Sequence, residues 1–220
     1  MLIAVTGGTG YLGAHTVRAL LAGGHRVRLL VGPDAEGALV LDRLAEAGAL
    51  DVLSGDIRNT ATIEAMLDRC DAVLHARRGD TARASRRQGP RPGRVFSSYS
   101  ALFPPPNGVI GPDTPTADGR SDYAKTKGYA DRVARRLQQQ GAPVVVTYPS
   151  SVVGPAFHTA PGVTERGWAP IVRFGVAPRL RGGMQMIDVR DVADVHTPSW
   201  NPDVARAGTC AAACWCRSTA

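Results

Sequence analysis

Residues 2–6, Leu-Ile-Ala-Val-Thr, form a short apolar run that stops at glycine, and a helical pattern begins five residues later at Tyr11. A run this short and this apolar predicts a strand buried on both faces, the kind found inside parallel sheets. The helix behind it carries Leu12, Val17, Leu20 and Leu21 along one side and ends at Gly23-Gly24. The chain therefore opens as strand, tight glycine turn, helix.

The same rhythm continues. Arg26 to Val31, Leu50 to Ser54, Asp71 to His75, Arg94 to Ser98 and Pro143 to Tyr148 read as further strands. A second helix is expected around Leu39, Leu41, Leu44 and Ala47, and a third, capped by Asn59 or Thr60, around Ile63, Met66 and Leu67. A long helix runs from a capping Asp122 to about Gln140 and is stopped by Gly141. Met184 to Ile187 reads as a short strand and Asp188 to Val195 as the start of a helix. Strands alternating with helices predict an α/β fold built on a doubly wound parallel sheet. Two stretches break the pattern. Residues 77–93 contain no apolar side chain larger than alanine and include Gly89-Pro90 and Pro92-Gly93, so they read as an exposed connection with no covering helix. In residues 198–220, Trp200, Val204 and Trp215 are scattered without period.

Composition excludes several functions. The 220 residues are 44% hydrophobic and 20% charged, which is globular. The net charge of +7 is concentrated between Arg77 and Arg94, where seven arginines face one acid, Asp80. No aromatic side chain interleaves with those arginines, so bases have nothing to stack on and a nucleic-acid partner is not expected. No apolar run approaches the roughly 18 residues of a membrane span, and the N-terminus lacks the basic flank of a signal peptide. A cytoplasmic protein is the expectation. Cys210, Cys214 and Cys216 offer three ligands without a second pair at zinc-ribbon spacing, and Cys70 stands alone, so no metal site is expected.

Three groups of residues carry chemistry. Gly7-Gly8-Thr9-Gly10-Tyr11-Leu12-Gly13 fits both Gly8-x-Gly10-x-x-Gly13 and Gly7-x-x-Gly10-x-x-Gly13. Between a strand and a helix, such glycines let the backbone approach a diphosphate, while the helix N-terminus offers N–H groups to the anion. Tyr123 and Lys127 stand one helical turn apart, so both side chains share a face. A phenol, with pKa near ~10, is a poor base at neutral pH, and a neighbouring ammonium favours the phenolate. An i,i+4 Tyr/Lys pair is also common on exposed helices. However, the chain uses 24 arginines and two lysines, and both lysines, Lys125 and Lys127, lie in this pentapeptide. Ser97-Ser98 ends the fifth strand, where hydroxyls face the crevice of such sheets; alone, the pair is turn chemistry.

Together with Thr6, Gly55-Asp56, Val95-Phe96, Pro149-Ser150-Ser151-Val152-Val153-Gly154-Pro155 and Asp188-Val189-Arg190-Asp191-Val192-Ala193, these residues resemble the extended short-chain dehydrogenase/reductase superfamily, which includes NAD(P)-dependent epimerases, dehydratases and dihydroflavonol-reductase-like enzymes. The resemblance spans residues 2–196 in the superfamily's order. It implies a Rossmann domain over 1–155 (interrupted by the arginine-rich 77–93), a reduced substrate-binding lobe over 156–196 and an irregular tail over 197–220. It implies Tyr123 as acid/base, Lys127 as the holder of the nicotinamide ribose, and Ser98, ahead of Ser97 and Ser100, as the donor to the reacting oxygen. Gly7, Gly10, Tyr11, Leu12 and Gly13 would cradle the cofactor and Asp56 would meet its adenine, unless Asp56 is only a capping or turn residue. The backbone of Pro149, Ser151 and Val152 would line the nicotinamide. At the end of the second strand stands Val31-Gly32, with Asp34 beyond. The missing acid favours NADP, and the missing arginine leaves NAD open.

A small-molecule substrate is implied, and association of two copies through the long helix occurs in the superfamily. Reduction, epimerisation and dehydration all remain open, as does a nucleotide-binding protein without catalysis. Relative to the superfamily the chain reads as shortened and of reduced activity. Residues 77–93 and 198–220 look like products of reading-frame slips or deletions, in which case other frames of the gene there encode the missing apolar pattern.

Overall fold

The computed structural model describes residues 1–32, 37–76, 92–111, 113–175 and 185–197. Strands β1 (Leu2–Thr6), β2 (Arg26–Val31), β3 (Leu50–Ser54), β4 (Ala72–His75), β5 (Gly93–Phe96) and β6 (Val144–Thr147) form one sheet. Their order is β3-β2-β1-β4-β5-β6 and every neighbouring pair is parallel. Helices α1 (Tyr11–Ala22), α2 (Ala38–Ala45), α3 (Thr60–Leu67) and α4 (Asp122–Gln139) flank it. The expected doubly wound sheet is present.

Burial follows from the alternation of side chains along each strand. Ile3 and Val5 of β1, with Leu29 of β2 and Leu74 of β4, pack against Val17, Leu20 and Leu21 of α1 and Val40 and Leu44 of α2. Ala4, Leu30 and Val73 point to the opposite face, where α3 supplies Ile63, Met66 and Leu67. Val95, Val144 and Val146 meet Ala134 of α4 and Leu102. The central strands β1 and β4 are covered on both sides, whereas β3, at one edge, exposes Asp51, Val52 and Ser54.

The order reverses between β1 and β4. There the chain leaves one half of the sheet for the other, and a crevice opens beyond the carboxyl ends of the two strands. The glycine bend between β1 and α1 sits at that crevice.

A smaller assembly follows β6. β7 (Ser151–Val153) pairs in parallel with β8 (Met186–Asp188), α5 (Val163–Phe174) lies between them in sequence, and α6 (Val189–Val195) packs on α1. Two of these elements have no clear sequence signal. β7 is three residues long, and α5 contains the helix breakers Gly167 and Pro170 and leaves its apolar residues, Val163, Trp168, Val172 and Phe174 among them, exposed. Two expectations need correction. Ser121, rather than Asp122, caps α4: its backbone is extended and its Oγ accepts from the N–H of Ala124 at 3.1 Å, while Asp122 sits in the first turn. The last strand is Met186–Asp188 rather than Met184–Ile187, and Asp188 caps α6 by accepting from the N–H of Arg190 at 2.7 Å. Bonds from the Arg190 side chain and backbone hold the Asp188 carboxyl down to about 2.

Of the arginine-rich stretch, residues 77–91 lie outside the described residues, as do Asp34, Met184, Trp200, Val204, Cys210, Cys214, Trp215 and Cys216. Arg94 is buried in β5 and its guanidinium donates to the carbonyl of Val195 at 3.0 Å. Among the described residues, no helix is long and apolar enough to cross a membrane.

Arg94 helps seat a fully buried histidine. The His196 ring stacks on Phe96 with centroids 3.9 Å apart, contacts the hydroxyl of Thr147 at 3.0 Å and the carbonyl of Val192 at 2.7 Å. Burial pushes its pKa down from 6.5 to about 3. The folded state therefore holds a neutral ring that the unfolded chain protonates below pH 6.5. Stability from this residue is complete above that pH and falls by about 1.4 kcal/mol per unit as pH drops towards 3. Guanidinium melts at pH 7.5 and 5 should show a lower midpoint at pH 5, with the gap narrowed in His196→Gln; equal midpoints would contradict the buried neutral ring.

Candidate active site

The glycine bend is shaped by one close approach. Gly7 adopts a positive φ of 75°, and its carbonyl accepts from the N–H of Gly10 at 3.1 Å. A Cβ added to Gly13 would lie 2.1 Å from that same carbonyl oxygen. Gly8 turns the other way, with Leu29 Cδ1 2.5 Å from where its Cβ would stand. The spacing that faces the crevice is thus Gly7-x-x-Gly10-x-x-Gly13, while Gly8 serves packing.

α1 starts from this bend with no side-chain cap and no acid in its first turn. Its leading N–H groups and the positive end of its dipole are left to an anion. A diphosphate fits these residues.

A cleft of about 990 Å³ extends from the bend across the sheet's switch point. Of the residues expected at the site, Gly7, Gly10, Tyr11, Leu12, Gly13, Asp56, Tyr123, Lys127, Pro149 and Val152 line it. Ser98 and Ser151 are not among the lining residues; Ser97 and Ser150, their neighbours, are.

α4 brings the phenol and the amine into this cleft. Tyr123 and Lys127 project from its first turns, with the Lys127 Nζ 5.9 Å from the centre of the Tyr123 ring. Lys127 is buried and donates to the carbonyl of Phe96 at 3.2 Å, whereas Tyr123 is 42% exposed at the cleft wall. The other lysine does not share this position, because Lys125 is exposed and pairs with Asp122 at 3.4 Å. α4 is itself fixed by a buried network. Asp131, with no exposed surface, accepts from Arg135 Nε at 2.8 Å and from the hydroxyls of Tyr148 and Thr116. Arg135 also donates to the carbonyl of Thr114 at 2.9 Å, which ties the loop after β5 to the helix.

At the end of β5, the Ser98 Oγ accepts from the N–H of Ser100 at 3.2 Å and donates to its hydroxyl at the same distance, capping a single 3-10 turn over Tyr99–Ala101. Ser97 is buried, and its hydroxyl has no hydrogen-bond partner among the described residues. Asp56 lines the cleft in a tight pair with Arg58, whose Nη2 approaches its carboxylate to 2.7 Å.

Tyr11 is the second tyrosine of the cleft. Its hydroxyl donates to the carbonyl of Gly154 at 2.8 Å and lies 3.4 Å from Glu165 Oε1. Burial first, then the Glu165 carboxylate, hold its phenol well above the usual pKa, so it stays a donor and cannot serve as a base. Glu165 in turn accepts from the N–H groups of Gly154 and Gly162 at 2.8 and 3.1 Å, and the Tyr11 hydroxyl fastens this corner of the smaller assembly to the start of α1.

Residues 1–89 match the model of the NmrA-like family. Over 89% of its length the chain is 28% identical to sterol demethylase protein B of Methylococcus capsulatus, and 27% identical to a putative dihydroflavonol 4-reductase of Synechocystis. It spans 65% and 62% of these two relatives. In the same fold, with a TM-score of 0.73, is UDP-glucose 4-epimerase from Bifidobacterium longum, solved with NAD+ and UDP. That likeness is 18% in sequence and covers 89% of this chain and 72% of the epimerase. The chain is thus similar in sequence to these two relatives over most of its length and shares its fold with the epimerase.

Sequence reasoning about this superfamily missed the wall of the cleft opposite α4. Ala160, Pro161, Gly162, Val163, Thr164 and Arg166 line it. They belong to the start of α5 and the loop before it, which the sequence does not announce. Phe96 and Arg58 were missed too; the signal was available for Arg58, which follows the Asp56 motif by two residues.

The bend yields a direct prediction. Gly13→Ala forces α1 away from Gly7, which should lower stability by about 1–3 kcal/mol and abolish dinucleotide binding. Thermal melts and a fluorescence titration with NADPH check it; a variant as stable as the parent that still binds would contradict the close approach.

Proposed function

We propose that the chain is an NAD(P)-dependent oxidoreductase of the extended short-chain type. It would move a hydride between the nicotinamide and a carbon bearing a hydroxyl or carbonyl in a small-molecule substrate. One observation carries this reading: the Tyr123 phenol and the Lys127 ammonium line the same cleft as the glycine bend. The relatives and the fold point to the same chemistry. When bound, the nicotinamide supplies or accepts the hydride.

The chain's own residues divide the remaining work. The bend and the first turn of α1 hold the diphosphate. Lys127, fixed by the Phe96 carbonyl, keeps a positive charge beside Tyr123 and is placed to donate to a ribose hydroxyl. The Tyr123 hydroxyl, exposed to the cleft, exchanges a proton with the substrate oxygen as charge develops there. Ser98, which stands next to the cleft-lining Ser97, would reach that oxygen only if its hydroxyl turned from Ser100, to which it donates at 3.2 Å. Asp56, already paired with Arg58, borders the adenine end, while Pro149 and Val152, with Ser150 rather than the expected Ser151, form the nicotinamide wall. Val31-Gly32 at the end of β2 offers no carboxylate to a ribose 2′-hydroxyl, which favours NADP over NAD.

Tyr123→Phe tests the assignment. It should bind NADPH as the parent does and lose at least about a hundredfold in kcat with any carbonyl substrate the parent reduces. Unchanged turnover would remove Tyr123 from the chemistry, and a parent that binds neither NADPH nor NADH would remove the cofactor.

A further inference from the structure

The wall opposite α4 presents one cation whose use nothing so far explains. Arg166 lines the cleft in the first turns of α5. Among the described residues its side chain has no hydrogen bond or ion pair, and only its backbone N–H is engaged, by the carbonyl of Gly162 at 3.0 Å. The acid beside it, Glu165, is occupied by two backbone N–H groups and the Tyr11 hydroxyl. The cleft's other arginine, Arg58, is held by Asp56. Arg166 is therefore a guanidinium kept at a cleft wall with no carboxylate among the described residues to neutralise it.

Its position relative to the bend is fixed by contacts. A Cβ on Gly162 would come within 2.9 Å of Tyr11 Cε1, so the turn before α5 lies directly on the Tyr11 ring. Tyr11 is the first residue of α1, immediately after the bend. The Tyr11 hydroxyl closes the same joint by reaching Gly154. Arg166, one turn beyond Gly162, thus lines the same cleft as the start of α1 and its uncapped N–H groups. Backbone donors on one wall and a planar five-donor cation on the other match an anion with oxygens facing both ways.

We infer that Arg166 is a clasp for a diphosphate ester lying across the glycine bend. This rests on the dinucleotide-binding reading and extends it. The diphosphate has two chemical sources: the cofactor's own bridge, or a nucleoside diphosphate carried by the substrate. In both cases the smaller assembly contributes a charged contact to the Rossmann half, and the Tyr11–Gly154–Glu165 joint sets the clasp's distance.

The experiment uses the full chain and its Arg166→Ala and Arg166→Lys variants. Arg166 is exposed, so thermal melts should match the parent. NADPH, ADP, adenosine and UDP are the probes, titrated at low and high salt. If the clasp holds the cofactor, Arg166→Ala weakens NADPH and ADP about tenfold and spares adenosine. Arg166→Lys should recover part of the loss, and the difference should shrink at high salt. If it holds the substrate, NADPH binding is unchanged and the NADPH-saturated variant loses about tenfold in affinity for UDP. A parent that binds NADPH while Arg166→Ala alters neither probe overturns the clasp and leaves the dinucleotide reading standing. A parent that binds no dinucleotide overturns both.

Discussion

Only a hydrogen atom fits between the first turn of α1 and the carbonyl of Gly7. The helix approaches the strand end so closely that a methyl at residue 13 would overlap the Gly7 oxygen, 2.1 Å away. That approach has three effects. It aims the free N–H groups of α1 at the crevice, and it presses Val17 and Leu20 onto the β-sheet. It also brings Tyr11 to the rim, where the smaller assembly attaches. Loosening the bend would shift the anion site, the core and the joint together.

The joint at Tyr11 matters as much to the shape of the cleft. Tyr11 is amphipathic: its ring packs under Gly162 and its hydroxyl serves Gly154 and Glu165. Because burial and the carboxylate both favour its protonated form, the bond is insensitive to neutral-range pH. His15, one turn further along α1, adds a contact of its ring to the Pro155 carbonyl at 2.8 Å. The wall that α5 supplies thus grows from the helix whose free N–H groups open on the cleft. The position of this wall is set locally by α1, whereas the α4 wall is held by the Asp131–Arg135 network and the loop after β5.

Much of this was legible in the sequence. Buried strands announce themselves as short apolar runs, and the parallel sheet, its helices and the glycine bend all follow from that signal. Tyr123 and Lys127 were legible because spacing alone places them on one face. What escaped lacks such a signal. α5 has apolar residues at Val163, Trp168, Ile171, Val172 and Phe174, but Gly167 and Pro170 interrupt them as helix breakers do, and the helix buries no side chain. That Ser97 lines the cleft while the Ser98 hydroxyl caps a single 3-10 turn is a matter of local geometry that spacing does not encode. Ser121 was overlooked as the cap because Asp122 is an equally good capping residue on composition, and only the backbone angles separate them. Arg166 was invisible for a simpler reason: in a chain with 24 arginines, one more on a surface helix draws no notice until its lack of a partner among the described residues is seen.

The central claim is spatial: the bend that receives a diphosphate and the phenol–amine pair of α4 serve one ligand. A crystal structure of the chain with NADPH measures this directly. The account predicts the diphosphate on the Gly7–Gly13 bend and the nicotinamide ring in contact with the Tyr123 hydroxyl, its ribose on Lys127. A dinucleotide bound elsewhere, or seated on the bend with its nicotinamide turned away from α4, would contradict it.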